Sequence, residues 1–410
     1  MLAEKRVRRI CGRVIAGAGD SWDGCLDIDS SGTIREVREP AARGELDYTG
    51  MDDTFIVPGL VDIHVHLRGL RLRYKEDEYT GTRAAARGGI TLVADMPNTL
   101  PPLTSPETVA WKLRELENKS VIDYRVYLGI PSSRDMLEKL IHLYRSVDRV
   151  VGFKVYPADL GERTPLVEEL LKHGDILVVV HPELDVGDRV VSSSEEGRRG
   201  LRGCWIERAS IEHLSLLSPE ARIHVTHASC ASTVEAAADS GFSVDVTPHH
   251  LLVEPLDDCL HKVNPPLRSI IERSLLLKHV VEGRVDALAS DHAPHAPWEK
   301  MQDPMLCPPG IAWLEHWPHL VSCLVSAGAL DMGKYVELLS LNPARIIGVE
   351  RCLEPGCEAS LTVISFKHGR AGAPRHSRAR GVPIFMHRLC SYTAATIVKG
   401  LLVYFNGRIP

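Results

Sequence analysis

Short β-branched or otherwise apolar runs alternate with segments of helical spacing through most of this chain. The runs lie near 60–66 (LVDIHVH), 90–96 (ITLVADM), 124–129 (YRVYLG), 150–156 (VVGFKVY), 176–181 (ILVVVH), 222–227 (RIHVTH), 242–247 (FSVDVT) and 285–290 (VDALAS). Between them the spacing predicts helices over 76–88, 105–117, 133–146, 165–173, 206–217 and 231–239. Near-continuous apolar strands, each followed by a helix, predict a parallel sheet buried on both faces. Eight such units predict an α/β fold closed as a (β/α)8 TIM barrel, with an open doubly wound sheet as the alternative.

The two ends read differently. Residues 1–57 contain RVIAG, GCLDIDSSGTIREVRE and TFIVPG, and residues 356–410 contain ASLTVISF and ATIVKGLLVYFNGRI, short strands parted by Gly, Ser and Asn-Gly turns. Neither end is long enough to bury a core comfortably alone. The expectation is a small β-sandwich built from both termini, residues 1–57 and 350–410, beside a barrel over 58–349, with SLNPARIIGV (340–349) as a short joining helix.

Composition narrows the function. The 410 residues are 44% hydrophobic and 25% charged, values of a globular chain with a core rather than a disordered, fibrous or membrane protein. With 48 basic and 54 acidic residues the net charge is −6, which offers no field for nucleic acid or anionic lipid. The N-terminus lacks an apolar core of signal-peptide length, so a cytoplasmic location is expected. Ten dispersed cysteines form no Cys-x-x-Cys and read as small buried hydrophobes. Disulfides are expected only if the chain comes from a hyperthermophile.

Histidine is the unusual component: 19 residues, against 5% for all aromatics. Barrel chemistry takes place at the C-terminal ends of the strands, and the metal-competent residues fall there in series. Strand 1 ends in His64 and His66, strand 4 carries Lys154, strand 5 ends in His181, strand 6 in His227, and Asp291 follows strand 8. A lone histidine at a strand end is ordinarily structural, but independent placement of so many on one rim points to a metal site. Residues i and i+2 of a strand face the same way, so HVH presents two imidazoles side by side. Lys154 has three readings: an ion pair with a carboxylate, a contact to a substrate anion, or carboxylation to a carbamate able to bridge two metals. Asp291 can ligate a metal and carry a proton as general acid/base. His224, His249 and His250 are expected behind the ligands, and one of His292 and His295 against substrate.

At these residues the chain resembles the cyclic-amidohydrolase group of the metal-dependent amidohydrolases, and within it the dihydroorotases. The matching strings are PGLVDIHVHLR (58–68), TGTRAAARGGITLVADMPNT (80–99), GFKVY (152–156), HVTHAS (224–229), VTPHHL (246–251), KVNPPLR (262–268), ASDHAPH (289–295) and NPAR (342–345). The resemblance implies reversible hydrolysis of a small cyclic amide, interconverting L-dihydroorotate and N-carbamoyl-L-aspartate in pyrimidine synthesis. It implies two Zn2+ per chain: His64, His66 and Asp291 on one, His181 and His227 on the other, bridged by carboxylated Lys154 and a hydroxide that attacks the ring carbonyl. It places Arg68, Asn98 and His295 on the substrate carboxylate, with Asn264 and Gly310 near the ring. A homo-oligomer, or a complex with aspartate transcarbamoylase, is compatible with it.

The chain also departs from the family pattern. GLRLRYKED follows HLR where an acidic residue, Pro and Gly are usual, Pro182 follows His181, and Trp313 and His316 replace smaller residues. These positions are expected on the substrate rim and bear on substrate preference. The competing readings are an allantoinase, a hydantoinase or dihydropyrimidinase, and an inactive scaffold for aspartate transcarbamoylase.

Overall fold

The eight apolar runs pair with one another in the order in which they occur. In the computed structural model, which describes residues 5–38, 44–185, 195–218, 220–379 and 388–409, they form strands β1 (Leu60–Val65), β2 (Ile90–Asp95), β3 (Asp123–Gly129), β4 (Val150–Val155), β5 (Val178–Val180), β6 (Ile223–Val225), β7 (Ser243–Val246) and β8 (Ala287–Leu288). Every neighbouring pair is parallel. Closure comes just past β8, where His66 N–H donates to the His292 carbonyl (2.8 Å) and Ser290 N–H to Asp62 Oδ1 (3.1 Å). The fold is the expected (β/α)8 barrel.

The helices form where the spacing placed them, and their ends carry the reason. Glu78–Arg87 and Pro106–Lys119 (α1 and α2) begin at Asp77 and Ser105, whose side chains accept from the N–H groups of Thr80 and Thr108. Apolar residues of strands and helices pack in one continuous layer around the barrel, including Val93, Val109, Leu137, Phe153 and Val225. A second cluster, with Val61, Ile63, Leu92, Tyr127, Val179 and Ala287, joins Ala344 and Ile347. The 337–346 segment stoppers the N-terminal ends of the strands: Ser340 Oγ donates to Gly59 O, Asn342 Nδ2 to Asp286 O, and Arg222 to Ile346 O. The opposite end is left for chemistry.

Both termini enter one further sheet of eight strands. Arg9–Gly17, Asp20–Ile28, Ile34–Arg38, Leu46–Asp47 and Thr54–Pro58 come from the front of the chain, Leu361–Ser365, Tyr392–Val398 and Leu401–Phe405 from the back. Thr54–Pro58 pairs antiparallel with Leu361–Ser365, and the sheet has its own core around Ile10, Val14, Leu26, Ile56, Leu361 and Ile397. Lys399, in the turn between its last two strands, ties it to the barrel by pairing with Asp123 (3.2 Å) at the start of β3.

The cysteines differ from the expectation. All ten are paired, as Cys11–Cys25, Cys204–Cys230, Cys259–Cys307, Cys323–Cys390 and Cys352–Cys357. Buried cysteines in both roles look alike in sequence. Only the fold brings residues as far apart as Cys323 and Cys390 together.

Candidate active site

The barrel mouth opens into a cavity of about 850 Å3, lined among others by His64, His66, Arg68, Asn98, Lys154, His181, His227, Asn264, Asp291 and Gly310. That volume suits a small-molecule site. His64 of β1, His66 just past its end and Asp291 form a tight group: His64 Nε2 and His66 Nε2 lie 3.4 and 3.2 Å from Asp291 Oδ1.

The other nitrogen of each ring explains why these two atoms converge. His64 Nδ1 meets Thr226 Oγ1 at 2.5 Å, and that hydroxyl donates to Asp245 Oδ2 (2.8 Å), so it must accept from the imidazole. His66 Nδ1 likewise meets Asn98 Oδ1 at 2.7 Å. Both Nδ1 atoms are donors, and both Nε2 atoms keep a lone pair for a metal. Asp245 also takes His227 N–H (2.7 Å) and His224 Nε2 (2.8 Å), so His224 stands behind His64 and His227 on the same carboxylate. Burial, the largest cause, holds His64, His66, His181 and His227 below the ordinary histidine range as neutral rings.

Lys154 Nζ is fully buried in this cavity with no hydrogen-bond partner among the described residues. Burial lowers its pKa to about 7, against the raising influence of Asp245 and Asp291. Of its three sequence readings the carboxylate pair is absent among the described residues, since no ion pair forms. His227 Nδ1 is similarly unpartnered, and its ring lies 4.4 Å from that of His181. Orphaned nitrogens beside converging lone pairs and a carboxylate fit divalent ions.

Three of these residues hold left-handed backbone: Arg68 (φ 56°), His227 (φ 42°) and Asp291 (φ 46°). Such conformations concentrate at functional sites because the surroundings must enforce them. At Arg68 the enforcement is visible. Lys112, buried on α2, donates to Arg68 O (3.2 Å) and pairs with Glu78 and Asp95 (2.8 Å each), while Asp95 Oδ1 takes Leu67 N–H (2.7 Å). Gly69 passes so close that a Cβ would lie 1.9 Å from Glu78 Oε1.

Other anticipated positions separate. Asn264 and Gly310 line the cavity, whereas His295 packs behind Arg68 (3.4 Å). His292 is buried and accepts from Trp313 N–H at 3.1 Å. Trp313 and His316, expected on the rim, do not line the cavity: Trp313 is 1% exposed, packs against His249, and donates through Nε1 to Ser290 O (3.0 Å). The extra bulk supports the closing segment from outside. Tyr156, Arg198, Arg202 and Lys262 line the site without having been anticipated. Lys262 stands within a quoted motif, but Arg198 and Arg202 belong to the run EEGRRGLRG, which has the pattern of a solvated surface.

A closed (β/α)8 barrel with a His-x-His pair, a buried lysine, two further histidines and a rim aspartate at its C-terminal mouth is an amidohydrolase-type hydrolase. Residues 53–143 match the Dihydro-orotase-like family. The chain is 41% identical over 398 residues to a dihydroorotase of Aeropyrum pernix, covering 93% of this chain and 91% of the relative. It is 38% identical over 389 residues to a dihydroorotase of Saccharolobus solfataricus, with 94% and 92% covered. The L-hydantoinase of Arthrobacter aurescens superposes with a TM-score of 0.88 at 21% identity, over 99% of this chain and 98% of that one, a likeness of fold. The chain belongs to the dihydroorotase family, whose members are metal-dependent cyclic amidohydrolases acting on small molecules. No described helix is long and apolar enough to cross a membrane.

Proposed function

We propose that this chain interconverts L-dihydroorotate and N-carbamoyl-L-aspartate. The observation that carries the reading is the convergence of His64 Nε2 and His66 Nε2 on Asp291, beside the unpartnered amine of Lys154 and below Arg68 and Asn98. His64, His66 and Asp291 would hold one zinc ion, His181 and His227 a second, with Lys154 carboxylated between them. Bound there, the pair of ions would supply an activated water and polarise the ring amide carbonyl.

The chain's own groups do the rest. Arg68 offers a bidentate fork to the substrate carboxylate. Asn98, its oxygen already taken by His66, turns its amide donor to the same anion. Arg68 Nε donates to Pro294 O (3.4 Å), which steadies its head, and His295, whose Nε2–H is taken by Pro309 O (3.1 Å), packs behind it. The attacking oxygen adds to the ring carbonyl carbon and the ring C–N bond breaks. Asp291 takes the water proton on a carboxylate oxygen and returns it to the departing ureide nitrogen. The product is a ureido acid with a second carboxylate.

The test is turnover of dihydroorotate, dihydrouracil, hydantoin and allantoin by protein of measured metal content. Preference for dihydroorotate with close to two zinc ions per chain is expected. Preference for any of the other rings, or full activity without metal, overturns the reading.

A further inference from the structure

The cavity wall facing Arg68 is built from three segments distant in sequence. They are the short helix Glu195–Leu201, the loop 262–268 and the loop 303–310. The two loops are bound together by Cys259–Cys307, by Gly310 N–H donating to Lys262 O (2.8 Å), and by Lys262 Nζ donating to Pro304 O (2.6 Å). Arg268 anchors the far end of the first loop on Glu207 (2.8 Å), Ser229 (2.8 Å) and Arg202 O (2.7 Å). Into this braced wall the helix sends Arg198, whose Nη1 donates to Asn264 Oδ1 (2.7 Å) and Nη2 to Val263 O (3.2 Å).

A carboxamide has an accepting half and a donating half of nearly the same shape, and a neighbour that can donate as well as accept leaves its orientation open. A guanidinium only donates. The Arg198 fork therefore fixes the Asn264 oxygen toward the helix, and the backbone contact to Val263 fixes the loop at the same point. The amino half, which has no hydrogen-bond partner among the described residues, is the half left for the cavity that Asn264 lines. We propose that Arg198 is the specificity-determining positioning residue of this wall. By locking Asn264 with its N–H2 toward the substrate, it makes the wall a donor for a ring carbonyl and rejects rings that present a donor there. The proposal rests on the hydrolysis of dihydroorotate proposed above, and it assigns Arg198 to substrate selection through Asn264 rather than to the chemical step.

A double-mutant cycle in the zinc-loaded enzyme tests it, with kcat and KM for dihydroorotate, metal content and melting temperature measured on each variant. Arg198→Met is expected to raise KM by about tenfold, the cost of one misdirected hydrogen bond, with kcat within about twofold and metal content unchanged. Arg198→Lys keeps a donor-only group that can still hold the Asn264 oxygen but loses the second bond to Val263, and should fall between wild type and Arg198→Met. In an Asn264→Ala background, Arg198→Met should change KM by less than about twofold, because the group it orients is already gone. A KM for Arg198→Lys no lower than for Arg198→Met, independent multiplication of the two effects, or an unchanged KM in Arg198→Met each overturns the proposal. Should wild-type enzyme prefer another ring, the proposed function fails instead, and the same cycle on that ring still decides the role of Arg198.

Discussion

Replacing Lys112 by Met gives the sharpest test of how the Arg68 loop is held. Methionine nearly keeps the volume, so little cavity forms, but Glu78 and Asp95 lose their shared cation inside the protein. Both carboxylates and the ammonium are at most 1% exposed, so water cannot replace the partner. Breaking a buried ion pair by deleting one member costs roughly 3–5 kcal/mol, and two stranded carboxylates place this case near 5. Urea titration followed by circular dichroism measures the loss. A loss below about 1 kcal/mol would show that the triad is not what holds the loop. The triple variant Lys112→Met, Glu78→Gln, Asp95→Asn removes the stranded charge and should recover at least half of the loss. No recovery would mean that packing, not charge, was damaged. The pH dependence has a definite sign. Burial opposes the charge on Lys112, yet Asp95 and Glu78 outweigh it and raise the pKa above the ordinary lysine value. The stabilisation is therefore complete below about pH 10 and lost as the pH rises through the higher folded value.

Four further outcomes are expected. Lys154→Ala should lose bound metal and activity together, with partial recovery in small carboxylic acids; retention of two zinc ions and normal turnover would refute a bridging role. Asp291→Asn should lower kcat far more than it weakens substrate binding, and an effect confined to KM would reassign it. Burial raises the Asp123 pKa, but Arg125, Lys399 and Arg149 more than offset this and bring it down to about 2. Its contribution, on the order of 2 kcal/mol, is then present above about pH 4 and fades toward pH 2. Asp123→Asn and wild type should therefore differ in melting temperature at pH 7 and converge at pH 2. Thiol titration of denatured, unreduced protein should find no free cysteine, rising to ten per chain after reduction; free thiols before reduction would contradict the pairing.

What the sequence revealed follows from the range of each signal. The eight strands were legible because a parallel strand buried on both faces is apolar almost without interruption, and several helix starts carried a local cap, among them Asp77, Ser105 and Ser133. The histidines were legible because a barrel places strand ends on one rim whatever the loops do. Arg198 and Lys112 were not. A guanidinium in a charged run and a lysine within a helix look solvated until the fold shows that one grips Asn264 and the other two buried carboxylates. Trp313 and His316 were misplaced for a related reason: a residue near the site in sequence can face away from it, and nothing local gives its direction. Three of the disulfides, Cys204–Cys230, Cys259–Cys307 and Cys323–Cys390, join segments that no local pattern brings together.

The sheet shared by the two ends of the chain has a consequence for synthesis. Thr54–Pro58 leaves the ribosome early, yet its partner Leu361–Ser365 follows only after roughly 300 further residues. At about 5–20 residues per second that wait is on the order of 15–60 s. The whole barrel is made inside it, while an edge of Thr54–Pro58 stays open to pairing with another chain. For this protein the hazard of misassembly is set by the order in which its strands are made, and it ends only when Leu361–Ser365 emerges.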